Sequence, residues 1–409
     1  MSAPSASPVS PGRVIVLLLL VLAVHQAGGG LVTALVPMRL AADGFAASVA
    51  GAVSTAFSIG FLLGCLASQP IVARLGRRRA MAACAGVNAL CALAMWVLDD
   101  PISWSVARAV GGFAIGTLFA LLEAWLAASA RPERRGAVFG AYMVMNRIMF
   151  TAGQVVLTWV DPRLGALFAV SALIYLLSPL PALWIGPEPP RSVGARPPFL
   201  AGLLELPRQA PAAAAGSLAH ALLTTVGPAL YPIYAVSAGL PLEHAALGLA
   251  AIQFGGLCCQ LASAFLADRF GRRPAMAAVS AVAGALSLLV LAIPTDQPWL
   301  LLAAVAAWGG VPAVLYAIAA AHANDVAADG QRLAWASCML FIWGVGAALS
   351  PILASALMDL VDRRALFAWT AVFGIAFSGF LMWRQLVRKR PPSRASVEST
   401  LGSPPDARG

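Results

Sequence analysis

The chain has 409 residues, of which 60% are apolar and 11% charged, and its mean hydropathy is +0.83. Soluble domains are about half apolar and about a quarter charged, so this composition excludes an ordinary water-soluble fold and indicates a lipid bilayer as the solvent. The net charge of +10 comes from basic residues that fall in short clusters between apolar runs and form no basic arm or face. We therefore expect a membrane protein without a nucleic-acid partner.

Motifs for metals, cofactors and nucleotides are absent from the sequence. The six cysteines lie within apolar runs, with the spacing of neither a disulfide framework nor a zinc site. The chain also lacks the Gly-x-x-x-x-Gly-Lys-Ser/Thr loop of ATPases. We expect no metal site and no cofactor, and we exclude an ATP-driven pump.

Twelve apolar stretches follow one another along the chain, each long enough to cross the hydrocarbon core, which takes about 20 helical residues. Clusters of Pro, Gly, Asp and Arg separate them. The first stretch is too long for the apolar part of a signal peptide, so we expect it to be retained. The sequence predicts an all-α membrane protein with twelve transmembrane helices at 14–36, 46–68, 80–98, 102–127, 137–160, 165–186, 211–235, 245–266, 275–294, 299–321, 333–357 and 365–383.

Basic residues are distributed unequally over the two sides of these spans. With the N-terminus inside, 21 Lys and Arg face the cytoplasm, four face the other side, and Arg108 and Arg147 lie within spans. An excess of Lys and Arg marks the cytoplasmic loops of membrane proteins. Both termini are therefore predicted to be cytoplasmic.

The chain repeats itself after 195 residues. Residues 66–83 and 261–278 are identical at eleven of eighteen positions, and both contain the loop after the second span of a half. Such a repeat is typical of two parallel six-helix halves. We divide the chain into a cytoplasmic N-terminus (1–13), a first half (14–186), a cytoplasmic linker (187–210), a second half (211–385) and a disordered basic cytoplasmic tail (386–409).

Two motifs resemble those of a known family. The loop Leu-Ala-Asp-Arg-x-Gly-Arg-Arg at 266–273 and the segment Arg-Ala-Val-Gly-Gly at 108–112 resemble two motifs of the major facilitator superfamily. The segment Glu-Ala-Trp-Leu at 123–126 is similar to a branch of small bacterial members. The resemblance implies the major facilitator fold, a small-molecule substrate, transport by alternating access and a bacterial inner membrane.

The resemblance also assigns gating to the loop after the second span of each half. In the first half Ala73 stands where the superfamily usually carries an aspartate, so we expect Asp268 alone to close the cytoplasmic side, by pairing with basic groups or a helix N-terminus. The residues so assigned are Arg74, Gly76, Arg77, Asp268, Arg269, Gly271 and Arg272.

Three charged side chains lie inside predicted spans, where an ionised group costs at least about 2.5 kcal/mol and usually faces a partner or water. At ~1.5 Å per residue, Arg147 lies near mid-membrane, with Arg108 nearer the outer face and Glu123 nearer the inner face. We interpret the three as a common polar lining for transport and proton coupling, with Glu123 as the proton site. A static ion pair of Glu123 with Arg147 or Arg134 is the alternative.

Other polar groups within the spans are candidates for a central substrate cavity, which transporters of this type build near the membrane midplane. We assign Trp125, Trp308 and Trp343 to packing. The candidate cavity residues are His25, Gln26, Asn146, Gln154, His220, Tyr231 and Gln253.

The sequence thus predicts a monomeric secondary transporter in the lipid bilayer that moves a small organic solute together with protons. An uncoupled facilitator, or a membrane-embedded enzyme or sensor on a transporter fold, is the alternative. A sealed interior with all three charges paired would favour the enzyme or sensor. A cavity lined by these charges would favour transport.

Overall fold

The computed structural model of the chain describes residues 10–185, 199–328 and 331–387, without the side chains of residues 132, 135, 199, 200, 261–268 and 333. The tail from residue 388 and the first half of the linker, 187–198, lie outside the described residues. In the first half the α-helices are α1 Pro11–Ala42, α2 Ala47–Leu75, α3 Arg77–Val97, α4 Pro101–Ser129, α5 Arg135–Val155 and α6 Ala166–Leu177. The following helices are α7 Phe199–Gln209, α8 Pro211–Thr224, α9 Val226–Ser237, α10 Leu242–Phe270, α11 Arg272–Ala292, α12 Pro298–Gly310, α13 Leu315–Val326, α14 Arg332–Leu360 and α15 Ala365–Val387.

Within the described residues, eleven helical segments are long and apolar enough to cross a membrane. The one remaining predicted span is the fifth along the chain and corresponds to α5. It is less apolar because it carries Asn146, Arg147 and Gln154, and it packs against α1 and α10. The predicted all-α architecture of two six-helix halves is thereby confirmed.

Two predicted spans are interrupted near their middle, whereas the fifth and the sixth end in short 3₁₀ segments, Val156–Thr158 and Leu180–Trp184. The seventh is divided into α8 and α9, because Pro228 has no N–H to donate to the carbonyl of Thr224, where α8 ends. The tenth is divided into α12 and α13 by a 3₁₀ segment, Val311–Val314, that contains Pro312. Each break lies near the middle of its span.

The linker contains a helix that the sequence analysis did not predict. In α7 the side chain of Leu206 is fully buried, whereas Leu204 is exposed, as in an amphipathic helix lying on a surface. Glu205 accepts a hydrogen bond from Gln331 at 3.2 Å, beside the first residue of α14. The linker is therefore anchored to the second half.

The sequence repeat recurs in the backbone. The bounds of α2 and α3 return, 195 residues later, as those of α10 and α11. Among the described residues four glycines have a positive φ, and they form two pairs with the same separation: Gly44 (76°) with Gly239 (84°), and Gly76 (80°) with Gly271 (83°). All four follow the end of a helix, where the left-handed conformation favours glycine.

Helices α2 and α4 approach each other along a seam of glycines. Gly60 and Gly64 of α2 face the backbone of α4, and Gly112 and Gly116 of α4 face the backbone of α2. A Cβ atom at any of the four positions would overlap the opposing backbone. This close packing, typical of small residues in membrane helices, fixes the position of Arg108 on α4 relative to α2.

The two halves meet at one end of the bundle. We call this the outer end, following the predicted orientation; it contains the loops at 43–46, 238–241 and 361–364. One apolar cluster there includes Leu35 and Val53 from the first half and Tyr234 and Met358 from the second. At the opposite, inner end, two further clusters of described residues each belong to one half. The halves thus share a core at the outer end and have separate cores at the inner end.

Exposed tryptophans mark the level of both membrane surfaces. Trp96, Trp159 and Trp299 lie near the outer end, and Trp184 and Trp383 near the inner end. Tryptophan is enriched at membrane–water interfaces, so this distribution matches a bundle that spans the bilayer along its long axis.

Candidate functional site

A cavity of about 280 Å³ lies between the two halves and is not fully enclosed. We call it the central cavity. Both halves contribute to its wall, through α1, α2, α4 and α5 on one side and α8, α9, α10, α12 and α14 on the other. The wall, as far as the described residues form it, contains two arginines, one histidine and no acid. The lining residues include Arg108, Arg147, His220, Gln253, Phe57 and Trp343.

Arg108 reaches the cavity from α4. Its side chain is 7% exposed, and its guanidinium carbon lies 4.0 Å from the centre of the Phe57 ring, a cation–π contact. A second cavity of about 10 Å³, lined by Asn88 and Tyr175 among others, touches Arg108 from within the first half. Its size is at the lower limit for one water molecule. No salt bridge among the described residues involves Arg108.

Arg147 reaches the cavity from α5 and contacts the other half. Its Nε donates a hydrogen bond to Oε1 of Gln260 on α10, at 3.4 Å. The guanidinium also packs over Gly256 of α10, which has no side chain to displace it. Within the described part of the chain Arg147 has no carboxylate partner.

His220 and Gln253, two of the predicted cavity residues, bring polar groups to the wall from the second half. Nδ1 of His220 lies 3.1 Å from the carbonyl oxygen of Pro312. Because a carbonyl oxygen only accepts, Nδ1 carries the hydrogen and Nε2 is left as an acceptor. The His220 ring also lies 5.7 Å from that of Tyr316. The break between α12 and α13 thus orients the histidine.

Glu123 lies outside the described wall, apart from Arg108 and Arg147, with which it was predicted to form a common lining. It is fifteen residues from Arg108 on α4, about 22 Å along the helix axis. Its Oε1 accepts a hydrogen bond from the hydroxyl of Tyr142, at 3.1 Å. Among the described salt bridges none joins Glu123 to Arg147 or Arg134, so the static ion pair is not formed here.

Three predicted cavity residues instead form contacts inside the first half. Nδ1 of His25 lies 3.1 Å from the hydroxyl of Ser178, and the His25 ring packs against Tyr175 on α6. Gln26 donates a hydrogen bond to Asn146. Neighbouring positions on a helix point about 100° apart, so Asn146 turns towards α1 while Arg147 faces the cavity.

Two more predicted cavity residues, Gln154 and Tyr231, are buried above the cavity wall. Gln154 is 1% exposed, and neither polar atom of its side chain has a described partner. It shares the helix face of Arg147 but lies seven residues nearer the outer end, where the halves are packed together. Tyr231 packs beside Gly248 and Tyr234 in the shared core.

The sequence analysis did not identify the aromatic residues of the cavity wall. Trp343, assigned to packing from the sequence, lines the cavity, whereas Trp125 and Trp308 are buried in packed cores, as expected. Phe57 was not singled out, because a single aromatic residue in an apolar helix gives no signal of its function. The Trp343 ring packs edge-on against Phe61, so both halves contribute to this aromatic side.

The sequence analysis also did not predict a contact that joins the two halves at the outer end. The carboxylate of Asp359, at the end of α14, accepts hydrogen bonds from the backbone N–H groups of Ala47 (3.0 Å) and Ser48 (2.9 Å). These are the first two residues of α2, where the helix dipole favours a negative charge. We call this contact the outer latch. Deeper in the same seam, Thr55 donates a hydrogen bond to the carbonyl of Ala348 at 2.7 Å.

The two loops predicted to act as gates make contacts within their own halves. Arg77 lies over the ring of Trp125, at 5.3 Å. Arg272 forms a salt bridge with Asp325 on α13, at 3.2 Å. Gly76 and Gly271 form the turns before α3 and α11.

Arg74 and Arg269, the other two arginines predicted to act in gating, lie in the last turns of α2 and α10. Arg74 is exposed, and Arg269 lies 5.9 Å from the ring of its neighbour Phe270. The side chain of Asp268 lies outside the described residues, so its predicted gating role stays a prediction.

Comparison with known proteins identifies relatives along the whole bundle. A family model described as Major Facilitator Superfamily matches residues 18–252 and again 212–405. A protein of Escherichia fergusonii named "Uncharacterized MFS-type transporter YcaD" is 26% identical over 367 residues, covering 90% of this chain and 92% of that protein. A Salmonella typhi protein of the same name is 24% identical over 383 residues, with 93% and 96% covered.

Solved structures show the same fold. A mutant of the nucleoside transporter NupG superposes with a TM-score of 0.77 at 16% identity, covering 90% of this chain and 99% of that one. The NupG structure without that mutation gives a TM-score of 0.71, with 91% and 96% covered. At this identity the likeness concerns the arrangement of the helices and not the substrate.

Proposed function

The chain belongs to the major facilitator superfamily, and on that premise we propose that it moves a small organic solute across the cell membrane by alternating access, coupled to protons. Its family and relatives make it a multi-pass membrane transporter and not an enzyme. The observation that carries the proposal is the central cavity between the halves, lined by Arg108 and Arg147 without a described carboxylate partner.

The packing between the halves supports a state closed to the outside. The shared apolar core and the outer latch both lie at the outer end, whereas the inner ends have separate cores. In this state the solute would exchange with the inner side. Rocking of the halves would break the latch and open the cavity outwards.

Glu123 is our candidate for the proton site. Its hydrogen bond from Tyr142 joins α4 to α5. Protonation would change this interaction near the inner ends, which separate and approach during the cycle. An uncoupled facilitator would give Glu123 no such role.

We further propose the orientation and assembly predicted from the sequence. With both termini cytoplasmic, the clusters of Arg at 74–79 and 131–135 face the cytoplasm, as expected for basic loops. The central cavity is built from the two halves of a single chain, so a monomer is sufficient for transport.

A metabolite-exposure growth screen tests the proposal. Cells that express the wild type, Arg147→Ala or no protein would be exposed to a panel of small organic solutes, with membrane levels matched by immunoblot. We expect at least one solute whose cellular level and toxicity change with the wild type and not with Arg147→Ala. Arg134→Ala, an exposed arginine beside the start of the same helix, should behave as the wild type. If no solute level responds to the wild type, the transport proposal is wrong.

A further inference from the structure

We propose that the transported solute is a small organic anion, whose charged group binds Arg108 and Arg147 while its apolar part lies against Phe57 and Trp343. This inference rests on the proposed function, because it concerns the occupant of the central cavity. Its basis is the charge of the cavity wall, the contacts of the two arginines, and the size and lining of the cavity.

The first step is the charge balance. Arg108 and Arg147 place two positive charges in a wall whose described residues include no acid. Arg108 has a cation–π contact, and Arg147 a hydrogen bond to the neutral Gln260. Burying a charge without a counter-charge is costly in a medium of low dielectric constant. A bound anion would offset that cost.

The protein's own carboxylates near the seam are engaged elsewhere. Glu123 lies about 22 Å along α4 from Arg108 and accepts a hydrogen bond from Tyr142. Both oxygens of Asp359 bind the first residues of α2 at the outer end. No described carboxylate forms a salt bridge with either arginine, which leaves a bound ligand to supply the compensating charge.

Second, both guanidinium groups have nitrogens that remain available to a ligand. Arg108 contacts the face of the Phe57 ring, and this contact leaves the N–H groups at the edge of the guanidinium available to a ligand that lies in the guanidinium plane. In Arg147 the hydrogen bond to Gln260 uses Nε, which leaves the two terminal nitrogens. Guanidinium edges bind carboxylate and phosphate groups in the same two-pronged way, so this chemistry does not separate the two.

The third step is the apolar remainder of the solute. Phe57, Phe150 and Trp343 line the cavity together with aliphatic side chains. A volume of about 280 Å³ lies just below the range of about 300–1,000 Å³ for drug-sized ligands. The space suits one ring or a short chain with its anionic group and is too small for a peptide.

The fourth step links binding to movement. The two arginines belong to the first half, whereas His220 and Gln253 face the same space from the second. An anion held by the arginines could accept a hydrogen bond from the Gln253 amide and so bridge the halves, while Nε2 of His220 could accept from a hydroxyl or N–H elsewhere on the solute. The affinity for the anion would therefore differ between states in which the halves are closer or further apart, as alternating access requires.

The test is a binding comparison on the full-length chain in lipid nanodiscs, by thermal stability and tryptophan fluorescence. Aromatic and aliphatic scaffolds of three to ten carbons would each be supplied as carboxylate, phosphate monoester, primary amide and amine, with uridine as a neutral nucleoside. We expect anions to bind at least about tenfold more tightly than their amide and amine twins. The ratio of carboxylate to phosphate affinity identifies which anionic group the site takes.

Substitutions locate the binding. Arg108→Gln and Arg147→Gln should each weaken anion binding by about 10-fold to 100-fold, Arg108→Lys and Arg147→Lys by less, and Arg134→Gln not at all. Even if a glutamine variant does not fold, the affinities of the wild type for the anionic, amide and amine forms of one scaffold decide whether the site prefers an anion.

Two kinds of failure are distinguishable. If amides, amines or uridine bind as well as the anions, or if no anion in the series binds, the inference of an anionic solute is wrong. Transport of another solute would still stand if the growth screen shows one. If that screen also finds no solute that responds to the wild type, the proposed function fails as well.

Discussion

Asp359 binds the backbone N–H of Ser48 at 2.9 Å, and this hydrogen bond joins the last turn of α14 to the first turn of α2. The two residues belong to different halves of the chain and are separated by 311 positions. Because α2 begins at this point, the carboxylate also compensates the positive end of its dipole. Closure at the outer end therefore includes a polar contact as well as apolar packing.

Replacement of Asp359 by asparagine should favour opening of the outer end. Asparagine keeps one acceptor oxygen but loses the charge and the second acceptor, so the latch weakens while the side-chain volume is nearly unchanged. With spin labels at Ala46→Cys and Arg363→Cys in a cysteine-free background, the distance distribution should gain a longer component. Asp362→Asn is the matched control, since Asp362 accepts from the N–H of Arg364 within the same loop. An unchanged distribution in Asp359→Asn would show that the latch does not contribute to closure.

Replacement of Glu123 by glutamine should separate proton coupling from exchange. Glutamine still accepts a hydrogen bond from Tyr142 but cannot take up and release a proton, so uphill uptake should stop while exchange down a substrate gradient continues. Arg147→Ala should abolish both. The measurement is uptake of a solute found by the binding screen, into vesicles with an imposed pH gradient.

Glu133→Gln, at an exposed position beside α5, is the control for this experiment. Wild-type uptake that does not respond to the gradient would make the protein a facilitator. A Glu123→Gln variant that still concentrates the solute would leave Glu123 with a structural role only.

The glycine seam makes a prediction about stability. Gly112→Ala places a methyl group against the backbone of Phe57, which cannot move without shifting α2, so we expect a loss of about 1–3 kcal/mol. Gly86→Ala meets no atom within 4 Å in the middle of α3 and should be neutral or stabilising by about 0.5–1 kcal/mol. Unfolding in detergent and denaturant measures both. Equal stability of the two variants would contradict the close approach of α2 and α4.

The predicted orientation is tested by fusions of a reporter enzyme that is active only outside the cytoplasm. The 21-to-4 asymmetry of Lys and Arg predicts which loops are outside. Fusions at the outer end should be active and those at the inner end silent, and one robustly active inner fusion would reject the orientation. Fusions expected to be active follow Asp43, Asp99, Asp161, Asp296 and Asp362. Fusions expected to be silent follow Arg78, Arg135 and Arg272.

The helices and their repeat could be predicted from the sequence because both depend on local patterns. An apolar run of 20 residues has one solution in a bilayer, and the loops at 66–83 and 261–278 carry their likeness in adjacent residues. The breaks at Pro228 and Pro312 have a local cause as well, although the sequence analysis predicted both spans without an interruption.

The cavity wall was harder to predict because it depends on the rotation of each helix. Asn146 and Arg147 are adjacent, yet one binds Gln26 inside the first half and the other faces the cavity. Depth matters too, since Gln154 shares the face of Arg147 but lies where the halves are closed. The role of Asp359 depends on which helix begins opposite it, and no local pattern contains that information.

Alternating access itself is tested most directly by the accessibility of one cavity residue from both sides of the membrane. Ser58 lines the cavity on α2, and Ser58→Cys in a cysteine-free background would be labelled with a membrane-impermeant thiol reagent in vesicles of each orientation. We predict that Asp359→Asn raises the rate of labelling from the outside and lowers the rate from the inside. Rates that rise or fall together, or a cysteine reached from one side only in both proteins, would contradict alternating access through this cavity.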